Sequence, residues 1–109
     1  MEETLRHAHF LTRFFSEEEQ AYILSRGKVQ AASAAGIFAA KEAFAKALGT
    51  GLVSANLAEI GVTHDDKGAP SYHLSGAALE LLAARGAKRA FLSITHDGGV
   101  AAAVCVLED

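Results

Sequence analysis

A chain of 109 residues, half of them apolar, 21% charged and with Pro70 as its only proline, has the composition of one folded domain rather than of a disordered segment. A formal net charge of −3, with no basic run interleaved with aromatics, argues against nucleic acid as a partner. No apolar run approaches the roughly 20 residues that span a bilayer, and Met1-Glu2-Glu3 lacks the basic start of a secretory signal, so a cytoplasmic protein with no membrane partner is expected.

Glu3 to Arg13 is predicted as a short helix, on which Arg6, His9 and Arg13 follow a three-then-four spacing and form a basic stripe suited to an acidic partner. Ser16-Glu17-Glu18-Glu19 fits a capping box, in which the serine hydroxyl accepts from the third helical amide and the glutamate reaches back. A second helix should start there and run to about Ser25, with Gly27 ending it. Gln30 to Leu48 is dominated by alanine, the best helix former, and Gly49 stands where a left-handed cap belongs.

After Gly49-Thr50-Gly51 the period changes. Ile60 and Val62 alternate with small or polar residues, Asp65-Asp66-Lys67-Gly68 reads as a turn, and Ser71 to Leu74 resumes as a strand, with His64 and His73 placed to pair across the hairpin. Ser75 is expected to cap a further helix through Arg85, with Leu79 and Leu82 on its apolar side and Gly86 beyond its end. Arg89 to Thr95, a tight His96-Asp97-Gly98-Gly99 connection and Val100 to Leu107 imply two antiparallel strands. The class is α+β, a small antiparallel sheet packed with helices in a single domain over residues 1–109. Cys105 is the only cysteine, so there is no intrachain disulfide, and its apolar surroundings favour a small buried hydrophobe.

Chemistry concentrates on the long helix. In Phe38 to Gly49, Glu42 and Lys46 lie four apart on one face, with Lys41 roughly 100° away. Glu42 is a hard oxygen ligand suited to magnesium, which often takes one or two protein carboxylates and completes its shell with water and phosphate oxygens. An ion pair with Lys46 is the structural alternative, contributing a few tenths of a kcal/mol. Lys41 and Lys46 are candidate partners of phosphate oxygens. His96, beside Asp97 and two glycines, is a candidate imidazole donor to phosphate.

Taken together, these segments resemble the holo-acyl-carrier-protein synthases of the 4'-phosphopantetheinyl transferase superfamily. Phe38 to Gly49 looks like the family's signature helix and Thr50-Gly51 like its following loop. Ala58-Glu59-Ile60-Gly61-Val62 and Gly68-Ala69-Pro70 follow its hairpin pattern, and Leu92-Ser93-Ile94-Thr95-His96 resembles its closing serine-x-serine-histidine strand, with Thr95 for the second serine. The resemblance implies transfer of 4'-phosphopantetheine from coenzyme A, the substrate, to a serine of an acyl carrier protein with magnesium, in fatty acid biosynthesis. It implies Glu42 as metal ligand, Lys46 at the phosphate and in charge development, Lys41 in support, His96 at the nucleotide end, Gly49 and Pro70 shaping the pocket, and a homotrimer with sites between protomers.

Departures from the family pattern accompany that likeness. The family opens with a strand carrying a second, aspartate ligand for magnesium, whereas Met1-Glu2-Glu3 is expected to begin after it, with Glu2 or Glu3 as possible substitutes. Ile37 and Ala69 stand where basic residues are usual. Three readings follow: a transferase, a related protein that binds coenzyme A or the carrier without turnover, and an oligomerisation module.

Overall fold

The computed structural model describes residues 14–49 and 57–109. The expectations for the opening helix, its Arg6, His9 and Arg13 stripe, Glu2, Glu3 and the Thr50-Gly51 loop lie outside the described residues. Helix α1 spans Glu17–Ser25 and opens on the capping box, with the Glu19 amide donating to Ser16 Oγ at 3.2 Å and the Ser16 amide to Glu19 Oε1 at 2.9 Å. A single 3-10 turn over Gly27–Val29 leads into α2, Gln30–Leu48. Gly49 closes it at φ 80°, a left-handed conformation in which a side chain is strained.

Strands β1 (Ile60–His64) and β2 (Pro70–Leu74) form an antiparallel hairpin. Its turn is organised by Asp65, whose Oδ1 accepts from the amides of Lys67 at 2.9 Å and Ala69 at 2.8 Å, an Asx-type turn. The register pairs His64 with Pro70 and Gly61 with His73, so the two histidines are not cross-strand partners as expected. Helix α3, Gly76–Ala84, follows. Ser75 occupies its N-cap, but its hydroxyl makes no capping bond. The Glu59 carboxylate, reaching across from before β1, accepts from the Ala77 amide at 3.2 Å instead. Ala78 and Leu82, four apart, are the buried residues of α3, and Leu79 faces outward.

Strands β3 (Arg89–Asp97) and β4 (Val100–Glu108) form the second hairpin, turning on Gly98 and Gly99 at φ 56° and 83°. Two consecutive positive φ angles match the right-handed twist of the strands and favour this glycine pair. His96 therefore lies within β3 and pairs with Ala101, not in the connection where the sequence places it. The antiparallel strands divide into two separate two-stranded sheets, and β2 packs beside β3 without a shared ladder.

Helix α2 is the axis of the core. Alanine keeps its surface shallow, which lets it approach the inner face of β3–β4, where Leu92, Ile94, Ala103, Cys105 and Leu107 are half-buried. One side of the core gathers Phe15, Ile23, Ile37, Ala40 and Val62. The other gathers Phe44, Leu48, Leu57, Ile60, Ala78 and Leu82. Tyr72 bridges them, packing on both and donating its hydroxyl proton to the Ala40 carbonyl at 2.6 Å. Burial pushes the phenol pKa well above its ordinary value, so this donor stays protonated.

Candidate active site

Lys41 points into the core. It is 0% exposed, and its three ammonium donors go to Glu19 Oε1 at 2.8 Å, the Leu57 carbonyl at 2.6 Å and the Ile60 carbonyl at 2.7 Å. An ammonium has three protons, so none is left for a ligand. The expected support of a phosphate by Lys41 is thus replaced by a structural role: its burial face and its charge are both committed to the fold. Burial depresses its pKa, and the adjacent Glu19 carboxylate opposes that shift.

Glu42 and Lys46 are placed differently. Glu42 is half-buried and Lys46 exposed, and neither makes a hydrogen bond or ion pair among the described residues. The structural alternative of a Glu42–Lys46 pair is therefore not formed. Both groups remain available to a ligand on one side of α2.

Pro70 and His96 meet elsewhere, in a cleft of about 230 Å³ whose lining includes Tyr22, Arg26, Ser33, Gly36 and His64. It opens between the end of α1, the first half of α2, the β1–β2 turn and β3. Gly36 makes the close approach possible: a Cβ there would stand 3.0 Å from His96 Cε1 and 3.2 Å from Ile94 Cγ2. Among the described residues no carboxylate lines the cleft, whereas Arg26 and two imidazoles do. The character of the cleft is that of an anion site.

Its far wall is a stack. The Tyr22 and His64 rings lie parallel, 4.0 Å between centroids and 3° between planes, and the Arg26 guanidinium sits 5.4 Å from the Tyr22 centroid. His64 Nδ1 is buried with no hydrogen-bond partner among the described residues. Desolvation, reinforced by the Arg26 charge, pulls the His64 pKa below its ordinary value, and Asp65 acts in the opposite sense. Sequence reasoning did not assign Tyr22, Arg26 or His64 to a site. The four-residue spacing of Tyr22 and Arg26 at a helix end was a usable signal, but the meeting with His64 is purely tertiary.

The cleft and the Glu42–Lys46 pair are separated. Six residues after Gly36, Glu42 is turned by about 120° around the helix and displaced by about 9 Å along it. Gly49 caps the helix near Arg85 and is not part of the cleft lining. Among the described residues no three histidine, cysteine, aspartate or glutamate side chains come together to hold a metal ion. The unpaired Glu42 carboxylate fits one hard-ligand position for magnesium, whose remaining positions water and substrate phosphates would supply.

Comparison with known proteins places this architecture in a class. A sequence profile of the 4'-phosphopantetheinyl transferase superfamily matches residues 1–105, and the chain belongs to that superfamily. Its relatives within it are holo-[acyl-carrier-protein] synthases. It is 45% identical over 108 residues to the one from Treponema denticola, covering 99% of this chain and 88% of that protein. It is 51% identical over 100 residues to the one from Trichlorobacter lovleyi, covering 90% of this chain and 78% of that protein. The crystal structure of the Neisseria meningitidis synthase superimposes with a TM-score of 0.79 at 37% identity, over 93% of this chain and 81% of that one. The Helicobacter pylori synthase, solved in complex with coenzyme A, gives 0.74 at 35% identity, over 92% of this chain and 82% of that one.

Proposed function

We propose that this chain transfers 4'-phosphopantetheine from coenzyme A to a serine hydroxyl of an apo acyl carrier protein. In that reaction the serine oxygen forms a bond to the phosphorus carrying pantetheine and releases its proton to solvent, the bond from that phosphorus to the bridging oxygen breaks, and adenosine 3',5'-bisphosphate departs with that oxygen and its electron pair. Membership of the superfamily and the identity to holo-[acyl-carrier-protein] synthases support the reaction class. The observation that carries the reading is the division of labour along α2: a carboxylate and an ammonium unpaired among the described residues on one side, and a cleft with Pro70 and His96 and no described carboxylate against another.

Phosphoryl transfer asks the protein mainly for positioning and charge neutralisation. Lys46 supplies a mobile positive charge for the pyrophosphate and for the oxyanion that forms on the leaving group. Glu42 would hold Mg²⁺, which when bound neutralises the phosphates. Pro70 and His96 would hold the nucleotide end, and Gly49 would fix the end of the helix that carries Glu42 and Lys46.

The separation of the two groups on one chain supports a shared site, with Glu42 and Lys46 from one copy and the cleft from its neighbour. The outer face of β3–β4 supports assembly. Phe91, Val104 and Val106 stand together there, 49%, 60% and 54% exposed, with Phe91 directly opposite Val106 in the ladder. A contiguous apolar sheet face of this kind fits association, and the homotrimer expected of the family would cover it.

Co-expression tests the arrangement. Glu42→Gln and His96→Ala chains, each strongly impaired in a carrier-protein mass-shift assay, should regain part of the activity when assembled together, because some interfaces then combine two intact halves. A mixture as inactive as its components would overturn the shared site. Absence of transfer by the unaltered chain with Mg²⁺, coenzyme A and apo carrier would overturn the transferase reading itself.

A further inference from the structure

The far wall of the cleft has no role in the reaction derived so far, yet it is the most built part of it. Three side chains from two elements converge there: Tyr22 and Arg26 from the end of α1, and His64 from the last position of β1. Stacking holds the imidazole in one plane, and its Nδ1 is withdrawn from water without a partner. A buried polar atom without a partner among the described residues carries a desolvation cost that a ligand can relieve. Around it stand one permanent cation, a second imidazole on His96, the Ser33 hydroxyl and the backbone at Gly36 and Gly68. Such an arrangement is complementary to an anion with several acceptor oxygens.

We propose that Arg26 and His64, aligned by Tyr22, form a clamp for a phosphomonoester, and that His64 takes up a proton when the dianion binds. The proposal rests on the coenzyme reading for its ligand: coenzyme A ends in a ribose 3'-phosphomonoester, and dephospho-coenzyme A lacks it. Arg26 supplies a charge on this wall in a chain where Ile37 and Ala69 are uncharged, and Ile37, itself in the cleft lining, is 1% exposed. The groups acting on His64 can be enumerated. Arg26 on α1 disfavours its protonation, Asp65 just after its own strand favours it, Tyr22 stacks on it, and His96 on β3 lines the same cleft. The free cleft thus holds His64 in its neutral form at pH 7. A dianion beside it reverses the balance, because it screens Arg26 and favours imidazolium directly.

The experiment compares coenzyme A with dephospho-coenzyme A by calorimetry in two buffers of different ionisation heat. In the unaltered chain, coenzyme A should bind at least tenfold more tightly than dephospho-coenzyme A at pH 6.5, with proton uptake seen only for coenzyme A. The preference should shrink as the pH rises. In Arg26→Gln and His64→Gln it should fall to threefold or less, the loss falling more on coenzyme A affinity than on dephospho-coenzyme A affinity, and His64→Gln should abolish the proton uptake. An unchanged preference in both variants, or proton uptake that survives His64→Gln, overturns the clamp. If neither coenzyme binds, the coenzyme reading fails, and inorganic phosphate tests the clamp alone. Phosphate should raise the His64 pKa measured by NMR in the unaltered chain and not in Arg26→Gln; no rise overturns the clamp.

Discussion

Glu19 and Lys41 form an ion pair of 2.8 Å in the centre of the molecule, with the two side chains 2% and 0% exposed. The pair joins four segments. Glu19 Oε1 also accepts from the Ser16 amide and Oε2 from the Val62 amide at 2.8 Å, while Lys41 holds the carbonyls of Leu57 and Ile60. The capping glutamate of α1 is thus also the anchor of β1, and the lysine next to Glu42 sets the rotation of α2.

Removing one partner leaves a buried charge uncompensated, which typically costs about 3–5 kcal/mol, whereas replacing both with apolar groups is often far less damaging. Lys41→Met should therefore lower stability by about 3–5 kcal/mol, read as a fall in the urea midpoint. Glu19→Leu combined with Lys41→Met should be more stable than Lys41→Met alone. The reverse order would show that the carbonyls of Leu57 and Ile60, rather than the charge, dominate.

Glu42→Gln should leave the melting temperature within a degree or two of the unaltered chain, because the carboxylate makes no bond within the described protein. Turnover should drop by roughly a hundredfold and the Mg²⁺ concentration for half-activity should rise, as expected when a direct ligand is removed from a small site. Full activity with an unaltered magnesium requirement would remove Glu42 from the metal site.

Gly36→Ala sets two effects against each other. Alanine gains roughly 1 kcal/mol of helix propensity over glycine, while its methyl meets His96 and Ile94 at 3.0–3.2 Å and crowding in packed regions costs about 1–3 kcal/mol. The expected result is a small change in stability with a several-fold higher KM for coenzyme A, because His96 must turn aside. Kinetics with coenzyme A varied at saturating carrier protein would show it.

Stability should depend on His64 in mildly acidic solution. Its folded pKa lies below the ordinary 6.5, so the fold prefers the neutral imidazole. That contribution is present above pH 6.5 and is lost as pH falls through the lower folded value. His64→Gln should flatten the decline in melting temperature below pH 6.5, and parallel curves for the two proteins would contradict the shift.

Val104→Glu with Val106→Lys should shift light scattering from an assembly to single chains and abolish transfer together. Both side chains are more than half exposed and face away from the core. A loss of assembly with full activity would separate the site from the interface.

Local signals made most of the elements readable. Ser16 and Glu19 announced α1, the alanines and Gly49 bounded α2, and Asp65 with Gly68 marked the first hairpin. The cap of α3 was misread for a physical reason: Ser75 has the right residue type and place, but Glu59, held close by the fold, reaches the Ala77 amide. Lys41 was misread for a similar reason. The same charge serves a ligand at the surface and a carboxylate in the core, and local sequence does not distinguish the two.

Taken alone, the sequence determined the α+β class, the order of helices and hairpins and the family resemblance, because capping, helix propensity and turn chemistry act over a few residues. It also brought Glu42 and Lys46 to one face through helical periodicity. Tertiary structure decided that Lys41 is buried against Glu19, that the two hairpins stay separate two-stranded sheets instead of joining in one small sheet, and that Tyr22, Arg26, His64, Pro70 and His96 share a cleft. Those outcomes depend on which charges the core can pair and which elements pack side by side, and both are settled only when distant parts of the chain meet.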